Sequence, residues 1–322
     1  MSEVPLSILD LPLIQAGRPT SEILSGLTEV ARRAEELGYR RVWYPEHHAT
    51  QGIADVPPGI VSTHIAATTS TIRVGSGGVL APNHAPLSIV EQFGALSALH
   101  PGRIDIGIGR GPGALDQQAI RALRRGADPA TDAEYNDDVA TILRLLAQRE
   151  SAAQPWLLSS SPAGAALAAR LGLPMAFAFH LRPPLAAEAI DTYRSAFQPS
   201  RWSDSPRLIL AVLVLCADTD AEVEALIKPF DVMLCTAHLD GNDIPMPAPR
   251  DAAAHVLSAK AQEFIAGFRA GSVLGDPPTV AAGLTELAAR FAADELMLMT
   301  PIFDAKDRIG SFERVAGAMR LS

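Results

Sequence analysis

Long blocks of lysine or arginine are missing from this sequence, and so is any apolar run near the ~20 residues that a membrane-spanning helix requires. With a formal net charge of −9, the first absence leaves no basic surface for nucleic acid or an anionic membrane. A small-molecule ligand is the default expectation. Cysteine is scarce: Cys216 ends an apolar run, Cys235 falls in a predicted helix, and no C-x-x-C spacing occurs. Both read as buried thiols rather than a disulfide or a metal pair. No H-x-x-x-H or H-x-H pattern exists, so no metal site is expected. The opening MSEVPLSILDLPLI has neither a basic n-region nor a cleavage site, which leads to the expectation of a cytoplasmic protein.

What is present is a rhythm. The 322 residues are 48% hydrophobic, enough to bury a large core, and the expectation is one domain spanning 1–322. Eight short apolar runs (SILDLPLI, RRVWYPE, IRVGSGGVL, RIDIGIGRG, PWLLSSS, MAFAFH, RLILAVLVLC and ELMLMTPIF) are mostly separated by helical pattern. Continuous apolar strands alternating with helices imply a parallel sheet covered by helices. Eight units predict a (β/α)8 TIM barrel rather than a doubly wound sheet. Chemistry then belongs at the C-terminal strand ends, among Asp10, Glu46 to His48, Ser76 to Gly78, Gly109 to Gly111, Ser159 to Ser161 and His180. The proline-rich stretch DGNDIPMPAPRD, Asp240 to Asp251, suggests a lid around 240–255 or a mobile surface linker.

Four features at those ends carry chemical information. The third run holds Gly75, Gly77 and Gly78, and glycine inside a strand marks a bulge or a close approach by a ligand or another backbone. His47 and His48 are adjacent, so on an extended segment at most one faces the mouth while the other packs. GIGRGPG lacks phosphate-loop spacing but offers Arg110 as a fixed positive charge. After the fifth run, Ser159, Ser160 and Ser161 precede Pro162 and a strong helix former, which makes Ser161 the expected N-cap. That end is either a capped helix alone or an anion site. A bare strand for a flat ring, a phosphate site and a neighbouring histidine match the parts of flavin mononucleotide (FMN).

The sequence resembles the luciferase-like, flavin-dependent monooxygenase family, in particular its alkanal monooxygenase-like branch. The resemblance rests on WYPEHH (43–48), RVGSGGVLAPNHAPL (73–87), EQFGALSALHPGRIDIGIGRGPG (91–113), LGLPMAFA (171–178) and ADELM (293–297), and runs nearly end to end. It implies a barrel that binds reduced FMN, with a catalytic histidine at His47. It also implies a non-proline cis peptide at Gly77-Gly78 and phosphate contacts from Arg110, Ser160 and Ser161. The implied activity is that of a two-component monooxygenase: a separate NAD(P)H-dependent flavin reductase supplies FMNH2, O2 forms a C4a-peroxyflavin, and a small organic substrate is oxygenated. A homodimer is the family expectation. Departures are Gly109 in place of bacterial luciferase's reactive cysteine, Ser160 in place of an acidic residue, Gly164 in place of a threonine, and a short passage from Glu150 to Pro155. The same resemblance leaves an F420-dependent oxidoreductase or a non-catalytic flavin-binding protein as alternatives.

Overall fold

In the computed structural model, which describes residues 4–149 and 153–321, eight parallel strands close into a barrel. With one further strand, β8, paired outside the ring, the described strands are β1 (Leu6–Leu9), β2 (Arg41–Tyr44), β3 (Arg73–Leu80), β4 (Ile104–Gly109), β5 (Gln154–Ser159), β6 (Met175–Phe177), β7 (Leu208–Cys216), β8 (Val273–Gly275) and β9 (Glu295–Met299). The ring runs β1 to β7 in order, then β9, and closes where β9 pairs with β1. This is the (β/α)8 barrel expected from the eight apolar runs. Residues 150–152 of the short passage before β5 lie outside the described residues.

The helices are α1 (Thr20–Glu36), α2 (Pro58–Thr68), α3 (Pro86–Leu99), α4 (Gln117–Leu123), α5 (Asp132–Leu146), α6 (Pro162–Leu171), α7 (Ala186–Ser195), α8 (Asp220–Leu239), α9 (Pro249–Ala254), α10 (Ala259–Phe268), α11 (Pro277–Phe291) and α12 (Ala305–Ala318). Strand alternation splits the core in two. Ile8, Val42, Val74 and Ile106 face the helices, whereas Leu9, Trp43 and Met297 fill the barrel. A strand buried on both sides has no polar face, so all nine residues of β7 are buried. Strand β8 escapes a sequence reading because three residues carry no period. It exists because β7 overshoots its neighbour: pairing with β9 ends at Leu213, and Val214 to Cys216 take β8 instead.

The N-terminal end of the barrel is plugged by charge. Arg41 donates to Asp105 at 2.6 Å and to both oxygens of Glu295 at 2.6 and 3.0 Å. Trp43 Nε1 donates to Asp105 at 3.0 Å, Ser7 donates to Glu295, and Arg73 reaches Asp105 from the rim. The Arg41 guanidinium also lies 4.9 Å from the Trp156 ring centroid. Every charge here has several partners, as burial demands.

Over the opposite end, residues 241–248 are irregular and lead into α9. Met246 is fully buried; its N–H donates to the Ile14 carbonyl (2.7 Å), and its carbonyl accepts from Ala16 (2.9 Å). The Asp243 carboxylate accepts the Gln51 N–H at 2.6 Å. The segment is thereby tied to the loops after β1 and β2. Among the described residues no helix is long and apolar enough to cross a membrane.

Candidate active site

His47 follows β2 at the C-terminal end of the barrel, with Glu46 and His48 on either side. The Glu46 carboxylate is buried, and one of its oxygens accepts from His48 Nε2 (2.6 Å) and His84 Nε2 (2.8 Å) while the other accepts from the Leu80 N–H (2.9 Å). Burial alone would raise its pKa, but the bonds from the two imidazoles and the backbone outweigh burial and hold it at about 2. His48 also donates its backbone N–H to Gly113 (2.8 Å). The loop after β2, the end of β3 and the loop after it thus meet on one carboxylate, and the loop after β4 reaches the same junction through the His48 backbone. At Gly113, φ is +71° and a Cβ would lie 2.3 Å from Leu80 Cδ1, so only glycine closes this junction.

The neighbouring His47 is free of that network. Its Nδ1 is buried and has no hydrogen-bond partner. Burial, aided by His48 and opposed by Glu46, pushes its pKa below the usual imidazole value. That direction favours the neutral imidazole near pH 7. Of the pair, His48 is the ring bonded to Glu46, and His47 keeps an unbonded Nδ1.

Beside this loop runs the glycine-rich β3, whose Gly77-Gly78 peptide is cis, as the resemblance implied. The structure gives the glycines a packing reason. A Cβ at Gly75 would lie 2.5 Å from the Asp105 carbonyl, and one at Gly78 would lie 2.7 Å from the Gly107 carbonyl. At Gly77 it would strike Leu9 Cδ1 at 2.6 Å, inside the barrel. The side-chain volume missing from β3 is thus filled first by β4 and the core. Register with β4 slips between Gly77 and Val79, which is the bulge that interior glycine signals.

The next two strand ends carry the residues expected to form either a capped helix alone or an anion site. Ser161 is the N-cap of α6 and accepts from the Gly164 N–H at 3.3 Å, while Ser159 Oγ takes the Ser161 N–H and donates to its carbonyl. Gly164 has no room for a side chain, since a Cβ would lie 2.5 Å from Ser159 Oγ. Ser160 makes no hydrogen bond to any described residue and lies partly exposed at the rim. Arg110 is exposed and pairs at 2.7 Å with Asp132, on the first turn of α5, rather than with the serines. The sequence reading found each of these residues except Asp132, Glu46's role as a hub, and His84.

Two other rim residues differ from each other in direction. Asp10, after β1, lies 3.3 Å from Arg308 of α12, between barrel and helices, and burial raises its pKa to about 6 despite that arginine. It belongs to the outer packing. His180, after β6, is buried, and its Nδ1 lies 3.1 Å from the Ala211 carbonyl. Both cysteines are free and buried. Among the described residues, no group of three or more His, Cys, Asp or Glu side chains is placed to hold a metal.

Comparison with known proteins agrees with this architecture. A luciferase-like monooxygenase from Escherichia coli K12 is 36% identical over 96% of this chain and 95% of its own length. The N-acetyl-S-alkylcysteine monooxygenase of Bacillus subtilis is 30% identical over 98% of both. The crystal structure of apo-MsnO8 superposes with a TM-score of 0.91 at 35% identity, covering 99% of each chain. The same fold at lower identity occurs in an FMN complex of the oxygenating constituent of 3,6-diketocamphane monooxygenase from Pseudomonas putida (TM-score 0.72, 17% identity, 98% of both chains). It occurs too in an F420-dependent secondary alcohol dehydrogenase (TM-score 0.72, 13% identity, 99% of both chains). The family model for luciferase-like monooxygenases matches residues 4–295, and the chain belongs to that family.

Proposed function

We propose that this protein is the oxygenating component of a two-component, FMNH2-dependent monooxygenase of the alkanal monooxygenase-like branch. The observation that carries the reading is the buried, unpartnered Nδ1 of His47 beside β3, in a row of strand ends that continues to Arg110 and Ser160. Those residues fit the cofactor. Ser160 has a hydroxyl without a protein partner, Arg110 carries an exposed charge, and Ala163 lies in the first turn of α6, where N–H groups lack intrahelical acceptors. Ser161 serves the same end by fixing that turn. The phosphate of FMN is assigned to this group, and its ring to the space over β3 at Gly77 and Gly78.

When bound, reduced FMN supplies the electrons that activate O2. The chain's own contribution is the setting. Leu9, Ala211, Leu213 and Met299 line the barrel interior with apolar surface, which excludes water. His47, neutral and held at the mouth by the Glu46 and His48 anchor beside it, gives or takes a proton at Nδ1. A separate NAD(P)H-dependent flavin reductase delivers the reduced cofactor, and the substrate is a small organic molecule, an aldehyde or a secondary-metabolite intermediate. We place the activity in the cytoplasm, in a homodimer of one-domain barrels. Residues 240–255 act as the lid over the mouth.

Turnover tests this directly. The chain with FMNH2, a substrate panel and 18O2 should give a product heavier by one labelled oxygen atom. The same fold in an F420 enzyme sets the second reading, so the chain is also assayed for reduction of F420 by secondary alcohols. F420 reduction without label incorporation would replace the proposal.

A further inference from the structure

Across the mouth from His47 stands an imidazole that the proposed chemistry does not use. His180 follows β6, which lies four strands from β2 in either direction round the ring. Phe179 beside it turns outward onto Phe291 of α11, whereas His180 is held on the barrel rim with only 8% of its surface exposed. Its Nδ1 lies 3.1 Å from the Ala211 carbonyl, which also accepts the His180 backbone N–H at 2.9 Å. A carbonyl oxygen can only accept, so Nδ1 carries the hydrogen. Burial outweighs that bond and pushes the pKa down to about 4, which leaves the ring neutral near pH 7. In a neutral ring whose proton sits on Nδ1, Nε2 is a bare lone pair. No described residue donates to it.

We propose that His180 is a specificity-determining residue, whose Nε2 accepts a hydrogen bond from neutral substrates that carry a hydroxyl or N–H group on an apolar body. The inference rests on the monooxygenase reading and, of its two substrate classes, selects the secondary-metabolite intermediate that bears a hydroxyl or N–H group over the aldehyde, whose carbonyl only accepts. The apolar body matches the interior walls formed by Ala176, Ala211 and Leu213. A ketone or ether would set a lone pair against a lone pair, and a site built to bond a donor rejects the analogue that lacks one. His47 and His180 then divide the mouth between them, one for proton exchange and one for recognition.

The test uses the full chain and two matched pairs: 1-naphthol against 1-methoxynaphthalene, and 1-decanol against its methyl ether. Affinities are measured by titration calorimetry, and FMN affinity is measured separately. The wild type should prefer each hydroxyl member by about ten-fold, the size expected of one neutral hydrogen bond. His180→Asn keeps a side-chain N–H for the Ala211 carbonyl but withdraws the Nε2 acceptor. It should fold normally, bind both members of each pair alike, and keep FMN affinity within about two-fold; His180→Ala should lose the preference as well. A wild type that binds no hydroxyl member or favours the ethers, or a His180→Asn variant that keeps the preference, overturns the proposal. If no form binds FMN while the hydroxyl preference still follows His180, the cofactor reading falls and the recognition site stands.

Discussion

The two ends of the barrel interior are both polar, yet they are built in opposite ways. At the N-terminal end Arg41, Asp105 and Glu295 saturate one another, with Trp43 and Ser7 taking what remains. At the C-terminal end His47 Nδ1, His180 Nε2 and Ser160 have no protein partner among the described residues, and Arg110 is held only by an exposed carboxylate. Burying a polar group without a partner costs free energy, and of these groups only His47 Nδ1 is buried in that way. In a (β/α)8 barrel the N-terminal end reads as stability and the C-terminal end is where recognition and chemistry are proposed here.

That contrast breaks most visibly at Arg41. Removing one member of a buried ion network strands the others, so Arg41→Ala should cost about 3–5 kcal/mol in a denaturant titration. Arg41→Ala with ordinary stability would show that the closed end is not load-sharing. Glu46 extends the closed style of construction to the open end. Its carboxyl pKa falls from 4.5 to about 2 on folding, so its contribution is present above pH 4.5 and is lost as pH drops toward 2. Glu46→Gln should remove a stability slope worth about 3 kcal/mol over that interval, read from unfolding curves at several pH values.

The open end responds in activity instead. His47→Ala should keep reduced-FMN binding within a few-fold but lower oxygenation by roughly a hundred-fold, with consumed O2 appearing as hydrogen peroxide. His48→Ala should chiefly reduce stability, because that ring is the one bonded to Glu46; the reverse pattern would exchange the two roles. Arg110→Ala should weaken FMN by roughly ten- to hundred-fold and leave riboflavin, which has no phosphate, nearly unchanged. The smallest effect belongs to Asp132. Its carboxylate competes with an incoming phosphate for Arg110, and an exposed pair is worth about 0.2–1 kcal/mol, so Asp132→Asn should tighten FMN by only about two- to five-fold. Equal changes for FMN and riboflavin would remove Arg110 and Asp132 from the phosphate site.

Several parts of this design were legible in advance because they are local. The Ser161 cap needs only the residues that follow it, and the opposed roles of His47 and His48 follow from adjacency on an extended segment. For the bare β3 the sequence leaves a bulge, a ligand and another backbone open, and the bulge is present. The immediate neighbours of its missing side chains are the β4 backbone, Leu9 and Trp43, and that contact depends on how closely two strands pair.

From the sequence alone come the eight-fold alternation, the parallel barrel, and a row of chemical residues at strand ends. Each follows from periodicity or from a motif contained in one short stretch. Only the tertiary structure pairs Arg41 with Glu295 across 254 positions, brings His84 to Glu46, and sets Asp132 against Arg110. It also decides that His180 offers a lone pair rather than a proton, because the carbonyl that fixes its tautomer belongs to β7. A side chain's type is local, but its protonation and its free valence are set by neighbours that only closure of the barrel supplies.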